Sequence, residues 1–249
     1  MIPWIQIDSA PLPGGSELRL KRRGDEFSIM LGTNELMNSR LSGSEEALAT
    51  LAAERLAGNR APRVLIGGLG MGFTLRAALR AFPASATIEV VELVPKVVAW
   101  ARGPMAALFG GSLDEPRVTV TVADVAEVIG GWRERYDAIL LDVDNGPEGL
   151  TVPENDRLYG DAGLALAQAA LKPGGLLGVW SQGPDRRFTQ RLQRTGLAVE
   201  EHAVAAGRGR GRRHVVWLAR RRQRSEHGPA ETGLSPAGTA RYRPRRTRS

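Results

Sequence analysis

Val64-Leu65-Ile66-Gly67-Gly68-Leu69-Gly70-Met71-Gly72, followed by an Ala/Leu-rich run through Leu79, is the stretch on which the fold turns. An apolar burst that ends in glycines and passes into a helical pattern reads as the first strand, tight turn and first helix of a parallel α/β unit. The glycines let the backbone approach a ligand, and the helix start offers free N–H groups and the positive end of its dipole. A ligand site is expected at this turn. A P-loop is excluded, because the position of its Lys holds Phe73, and Phe73 also stands where a G-x-G-x-x-G dinucleotide fingerprint needs its third glycine.

Outward from this turn the order of elements is repetitive. Strands are expected at Arg63 to Gly67, Thr87 to Glu92, Val118 to Val122, Tyr136 to Asp142 and Leu176 to Trp180. Helices separate them at Phe73 to Ala81, Pro95 to Arg102, Asp124 to Ile129 and Asp161 to Leu171, with Lys172-Pro173-Gly174-Gly175 read as a turn. A helix from Pro184 to Arg194 leads to two final strands, Ala198 to Val204 and His214 to Ala219. The fold class is α/β: a doubly wound, Rossmann-like, mostly parallel sheet of the class I methyltransferase type, with a C-terminal antiparallel hairpin.

Before the core, Glu17 to Arg23 and Glu26 to Leu31 flank Gly24-Asp25 as a hairpin, and a helix from about Ser44, read as its cap, runs to Ala57. The expected organisation is a small N-terminal β element over 1–41, the catalytic domain over 42–219 and a disordered Arg-rich tail over 220–249. The chain of 249 residues has a net charge of +7, and the tail's nine arginines against two glutamates account for all of it. The charge therefore describes the tail and not the folded part. There is no Cys and only three His, so no metal is expected. No apolar run reaches the roughly 18 residues of a spanning helix, and the first residues lack the pattern of a signal peptide, so a cytoplasmic protein with no membrane contact is expected.

In open α/β sheets ligands lie beyond the carboxyl ends of the strands, and here three successive strands end in a carboxylate. Glu92, twenty residues past Gly72, is placed to accept both hydroxyls of a ribose. Asp124 stands where such folds bind an adenine amino group and also where a helix N-cap stands. Asp142 and Asp144 face the same side if the strand continues, and a carboxylate there can hold or deprotonate an amine.

The spacing G-x-G-x-G is that of S-adenosylmethionine-dependent transferases. The turn with Thr74-Leu75-Arg76, Val91-Glu92-Leu93-Val94, Pro116-Arg117-Val118, Tyr136 to Asp142, Gly146-Pro147, Leu158-Tyr159 and Leu171 to Gly175 together resemble the spermidine synthase (polyamine aminopropyltransferase) family. The resemblance implies transfer of an aminopropyl group from decarboxylated S-adenosylmethionine to an amine, leaving 5′-methylthioadenosine. It places donor contacts on Gly67, Gly68, Gly70, Gly72, Glu92, Leu93, Asp124, Val125 and Asp142, and makes Asp142, with Asp144, the catalytic carboxylates. On the acceptor side it points to Asn145, Tyr159 and Glu45, and Trp180 at its strand end is a further lining candidate. The chain departs from the family where Met71 and Asn145 replace aspartates and where Gly43-Ser44-Glu45 replaces Tyr-His-Glu.

Met71 removes a charge beside the donor tail, which opens a second reading: methyl transfer from intact S-adenosylmethionine to a small molecule. A third reading is a non-catalytic nucleotide-fold scaffold whose basic tail binds phosphate polymers nonspecifically. The expected partners are a small-molecule amine or other nucleophilic acceptor, nucleic acid only through the tail, and a second copy in a homodimer, as in relatives of this architecture.

Overall fold

The computed structural model describes residues 2–12, 15–143, 146–147, 155–207 and 213–222. Two sheets organise it. The first is antiparallel, in the order β1 (Ile5–Pro11), β2 (Glu17–Arg23), β3 (Glu26–Leu31), β4 (Asn34–Asn38). The predicted hairpin is its centre, paired from Leu18↔Leu31 to Arg23↔Glu26. Two strands were not anticipated. Ile5-Gln6-Ile7 begins β1 with period-two alternation, and β4 returns after a turn at Gly32-Thr33.

Helix α1 (Gly43–Arg55) leads into the main sheet, whose seven strands lie in the order β10-β11-β9-β8-β5-β6-β7. Strands β5 (Arg63–Gly67), β6 (Thr87–Glu92), β7 (Val118–Val122), β8 (Tyr136–Leu141) and β9 (Leu171–Ser181) pair in parallel, and β11 (Arg213–Arg220) is antiparallel to both β9 and β10 (Ala198–Ala205). This is the doubly wound sheet with its C-terminal hairpin.

Successive residues of the central strands point to opposite faces. Val64 and Ile66 join one core with α1, α2 (Phe73–Ala81) and α3 (Pro95–Arg102), while Leu65 joins the other with α5 (Val125–Gly130), α7 (Asp161–Ala170) and α8 (Arg186–Arg194). Strands buried on both faces must be apolar at every position, and β8 is buried from end to end.

Several boundaries differ from expectation for identifiable reasons. Ser44 is not a cap: the helix starts one residue earlier, and the buried Ser44 hydroxyl is taken by side chains. Lys172 to Gly175 do not separate a helix from a strand. They loop out of β9, whose pairing with β8 jumps from Tyr136↔Leu171 to Ala138↔Leu176. Asp185 caps α8 by accepting from the amides of Arg187 (2.8 Å) and Phe188 (3.0 Å), so that helix begins after Pro184. Short helices α4 (Ala106–Phe109) and α6 (Asn155–Tyr159) were not anticipated. Strand β11 runs through Arg220, and the Arg221 amide donates to the Gly175 carbonyl at 2.8 Å, so regular structure passes the boundary expected at Ala219. The predicted tail beyond Arg222 and most of the Gly/Arg loop before β11 lie outside the described residues. Among the described residues no helix is long and apolar enough to cross a membrane.

The N-terminal sheet is fixed to the main domain. Asp8 accepts from Trp100 Nε1 at 2.8 Å and pairs with Lys96 at 3.1 Å, and these donors hold its carboxyl below the usual range. Leu12, Leu18, Leu20 and Ile29 enter the same core as α2 and α3.

At the opposite end of the sheet from the glycine turn, Asp137 opens β8 and accepts from Asn59 Nδ2 (2.8 Å), the Arg63 amide (2.8 Å) and Lys172 Nζ (2.7 Å). It thereby aligns β5 with β8, the two strands whose far ends carry the site. Removing one acceptor orphans several donors, of which the buried amide is the costly one. Asp137→Ala is expected to lower the unfolding free energy by about 2–3 kcal/mol in urea titration with an unchanged m-value.

Candidate active site

Strand β5 pairs with β6 on one side and β8 on the other, so the connections leaving it diverge to opposite faces and open a crevice at its carboxyl end. Gly68 and Gly70 form the floor. Gly68 has φ +90°, and a Cβ there would collide with the Asp142 carbonyl oxygen. Only glycine lets the turn lie this close to the end of β8.

The crevice is a pocket lined by Gly68, Gly70, Val91, Glu92, Leu93, Val94, Val97, Ala123, Asp124, Val125, Asp142 and Val143. Leu12, Leu18, Ile29, Leu36 and Met37 of the N-terminal segment supply its remaining wall. The Met37 sulfur stands 2.9 Å from where a Cβ on Gly70 would sit, so β4 rests directly on the glycine turn.

Each carboxylate in the lining is held differently. Glu92 accepts from the Leu69 amide through Oε2 (2.9 Å) and the Val94 amide through Oε1 (2.9 Å), tying the glycine turn to the start of α3. Burial raises its pKa and these amides oppose the rise. Asp124 caps α5 through the Ala126 amide at 2.8 Å and also lines the pocket. Asp142 accepts from the Thr74 hydroxyl at 2.5 Å. Burial first, and then the Glu45 carboxylate, push its pKa up from 3.8 to about 7, against the hydrogen bond from Thr74.

The predicted residues thus fall into groups. Gly68, Gly70, Glu92, Leu93, Asp124, Val125 and Asp142 are brought together around one pocket. Gly67 lies beneath it against Val125 and Leu141, and Gly72 opens α2 against the Phe109 ring. Glu45 sits behind Asp142, near enough to raise its proton affinity. Tyr159 and Trp180, expected at the acceptor side, are not among the residues that line this pocket. Tyr159 is buried, with its hydroxyl directed at the Val143 carbonyl (3.4 Å) and its ring edge-on to Phe188. Trp180 is buried edge-on against His214. Asp144 and Asn145 lie outside the described residues.

Met71, read from sequence as lying near the donor tail, is buried in the core and does not line the pocket. Thr74 was noticed only as part of a motif. Its role follows from standing two residues into α2, where it reaches the end of β8. The contribution of Leu36 and Met37 carried no signal beyond local alternation.

A model of the spermine/spermidine synthase domain matches residues 43–191. The chain belongs to the spermine/spermidine synthase family. Among curated relatives, the polyamine aminopropyltransferase of Mycobacterium tuberculosis is 32% identical over 198 residues, covering 76% of this chain and 36% of that protein. That of Korarchaeum cryptofilum is 32% identical over 146 residues, covering 57% of this chain and 43% of that protein. The chain therefore aligns with less than half the length of these two relatives. The fold is shared with spermidine synthase from Thermotoga maritima, at a TM-score of 0.67 and 18% identity over 86% of this chain and 72% of that one. It is shared too with a spermidine synthase solved in complex with the transition-state analogue AdoDATO, at a TM-score of 0.71 and 17% identity over 86% and 73% of the two chains. Family membership does not favour the methyltransferase reading.

The raised pKa of Asp142 has a consequence for stability in this family member. Its neutral form is favoured in the folded state, so its stabilising contribution is complete below about pH 4 and is lost as pH rises through about 7. Asp142→Asn removes that loss. The variant is expected to gain about 4 kcal/mol over the parent between pH 4 and pH 8, read from paired urea titrations. A difference that stays constant across this range contradicts the assignment.

Proposed function

We propose that this chain transfers an aminopropyl group from decarboxylated S-adenosylmethionine to a small amine, with Asp142 as the base. The observation that carries the reading is a carboxylate with a proton affinity near neutrality, placed where the glycine turn meets the end of β8. An acid–base group works best with a pKa near the operating pH.

The lining suits such a donor. Glu92 is rigidly held beside the glycine turn and keeps lone pairs for ribose hydroxyls, and Asp124 keeps an oxygen for an adenine amino group. The lining holds three carboxylates and, among the described lining residues, no cationic side chain, and Arg157 of α6 reaches one of the three, Asp124, at 3.9 Å. A sulfonium with an amine tail is attracted there, whereas a tail carboxylate meets like charge. Apolar side chains from β2, β3 and β4 exclude water from the same space and strengthen these interactions.

Bound here, the donor supplies an electrophilic carbon beside a sulfonium. The acceptor nitrogen must be neutral to attack it. Asp142 orients the amine and takes its proton as the C–N bond forms, while the C–S bond breaks and its electron pair neutralises the sulfur. Thr74 holds the Asp142 carboxylate in place, and Glu45 provides a second negative charge for a cationic acceptor. Asp144 and Asn145, adjoining Asp142 in sequence, are proposed acceptor contacts.

Incubation with decarboxylated S-adenosylmethionine and a series of diamines is expected to release 5′-methylthioadenosine and the aminopropylated amine, scored by mass spectrometry. Asp142→Asn should retain donor binding in calorimetry and lose on the order of 10²–10⁴ in kcat. Preferential binding of intact S-adenosylmethionine, with no aminopropyl product, would remove the reading.

A further inference from the structure

Behind Asp142 lies a hydrogen-bonded chain of which the reaction above uses only Thr74 and Glu45. Ser44, fully buried at the start of α1, places its Oγ 2.6 Å from Glu45 Oε2 and 2.8 Å from Nδ1 of His214 on β11. His214 is 8% exposed, its ring edge-on to Trp180 at 5.0 Å between centroids. Thr74 completes the path: its hydroxyl lies 3.3 Å from the Glu45 carbonyl and 2.5 Å from Asp142 Oδ2. Three elements distant in sequence thus converge behind one carboxylate.

A serine hydroxyl has one hydrogen and here two partners. When it donates to the Glu45 carboxylate, it must accept from the imidazole, which fixes the proton of His214 on Nδ1. When the ring instead presents a bare Nδ1, the hydroxyl turns to it, and Glu45 loses its donor. We propose that His214 is a positioning residue for the Asp142 base, acting through Ser44 on the charge of Glu45. The inference rests on the reaction assigned to Asp142 and adds how that base is set.

The surroundings make the Ser44 hydrogen bond decisive. Among the described residues, the charged groups that act on Glu45 are Glu46 on its own helix and Asp142 at the end of β8, and the arginines of the neighbouring α2 are held elsewhere. Arg80 is engaged by Glu46 at 3.1 Å, and Arg76 lies over the Phe73 ring. Trp180 on β9 and Val204, opposite His214 on β10, carry no charge. Burial and Glu46 raise the pKa of Glu45, and the Ser44 hydroxyl is the first of the interactions that lower it. An anionic Glu45 in turn raises the proton affinity of Asp142. Without the hydroxyl, Glu45 keeps its proton to higher pH, and Asp142, relieved of that charge, ionises at lower pH.

The test is a ¹³C NMR titration of side-chain carboxyls in the full chain, with signals assigned through Asp142→Asn and Glu45→Gln. Ser44→Ala and His214→Phe are each expected to lower the Asp142 midpoint by about one pH unit and raise that of Glu45. His214→Asn, whose amide N–H stands at the position of Nδ1, is expected to restore the parental midpoints. An unchanged Asp142 midpoint in Ser44→Ala, or no restoration in His214→Asn, overturns the proposal. These two variants decide the matter even where His214→Phe fails to fold. The titration is also readable in a protein that transfers nothing, so loss of the assigned reaction and loss of this coupling are separate results.

Discussion

Ionised groups taken out of water must be met by hydrogen-bond donors, and the site is built around that constraint. Three carboxylates stand at the carboxyl ends of β6, β7 and β8, in a pocket whose other walls are mostly apolar. The donors come from the few places where a compact α/β chain has free ones: the glycine turn, the first turns of helices and a hydroxyl on α2. Glu92 receives two amides, Asp124 one, and Asp142 the Thr74 hydroxyl. The number and kind of donors separate their roles. Burial raises the proton affinity of both Glu92 and Asp142, the amides oppose the rise at Glu92, and at Asp142 the charge of Glu45 adds to it.

Much of this was legible beforehand, and the reasons are local. The run from Val64 to Gly72 announces a strand, a turn and a helix through its own composition. The acidic residues at the ends of β6, β7 and β8 stand out because each follows an apolar run and precedes a helix or turn. The parallel core follows from the alternation of strands and helices, and the antiparallel C-terminal hairpin was expected by analogy with the methyltransferase form of the fold.

The parts that were not legible depend on contacts between distant segments. Ser44 has the residue type and position of a cap, and only the arrival of His214 from β11, 170 residues later, shows that its hydroxyl is committed elsewhere. Tyr159 and Trp180 sit at element ends that suggest a site, yet their rings are absorbed by Phe188 and His214. Lys172 to Gly175 carry turn chemistry, and a bulge inside β9 satisfies that chemistry as well as a loop between elements does.

The wall made by Leu36, Met37 and their neighbours differs in kind from the rest of the pocket. It comes from a sheet that ends at Asn38, before the family-matched region begins, and it shares no backbone pairing with the seven parallel and antiparallel strands that carry the carboxylates. The apolar wall and the carboxylates of the pocket therefore lie on separate stretches of chain. Exchanging side chains on β4 re-cuts the mould of the pocket while every strand-end carboxylate keeps its own partners.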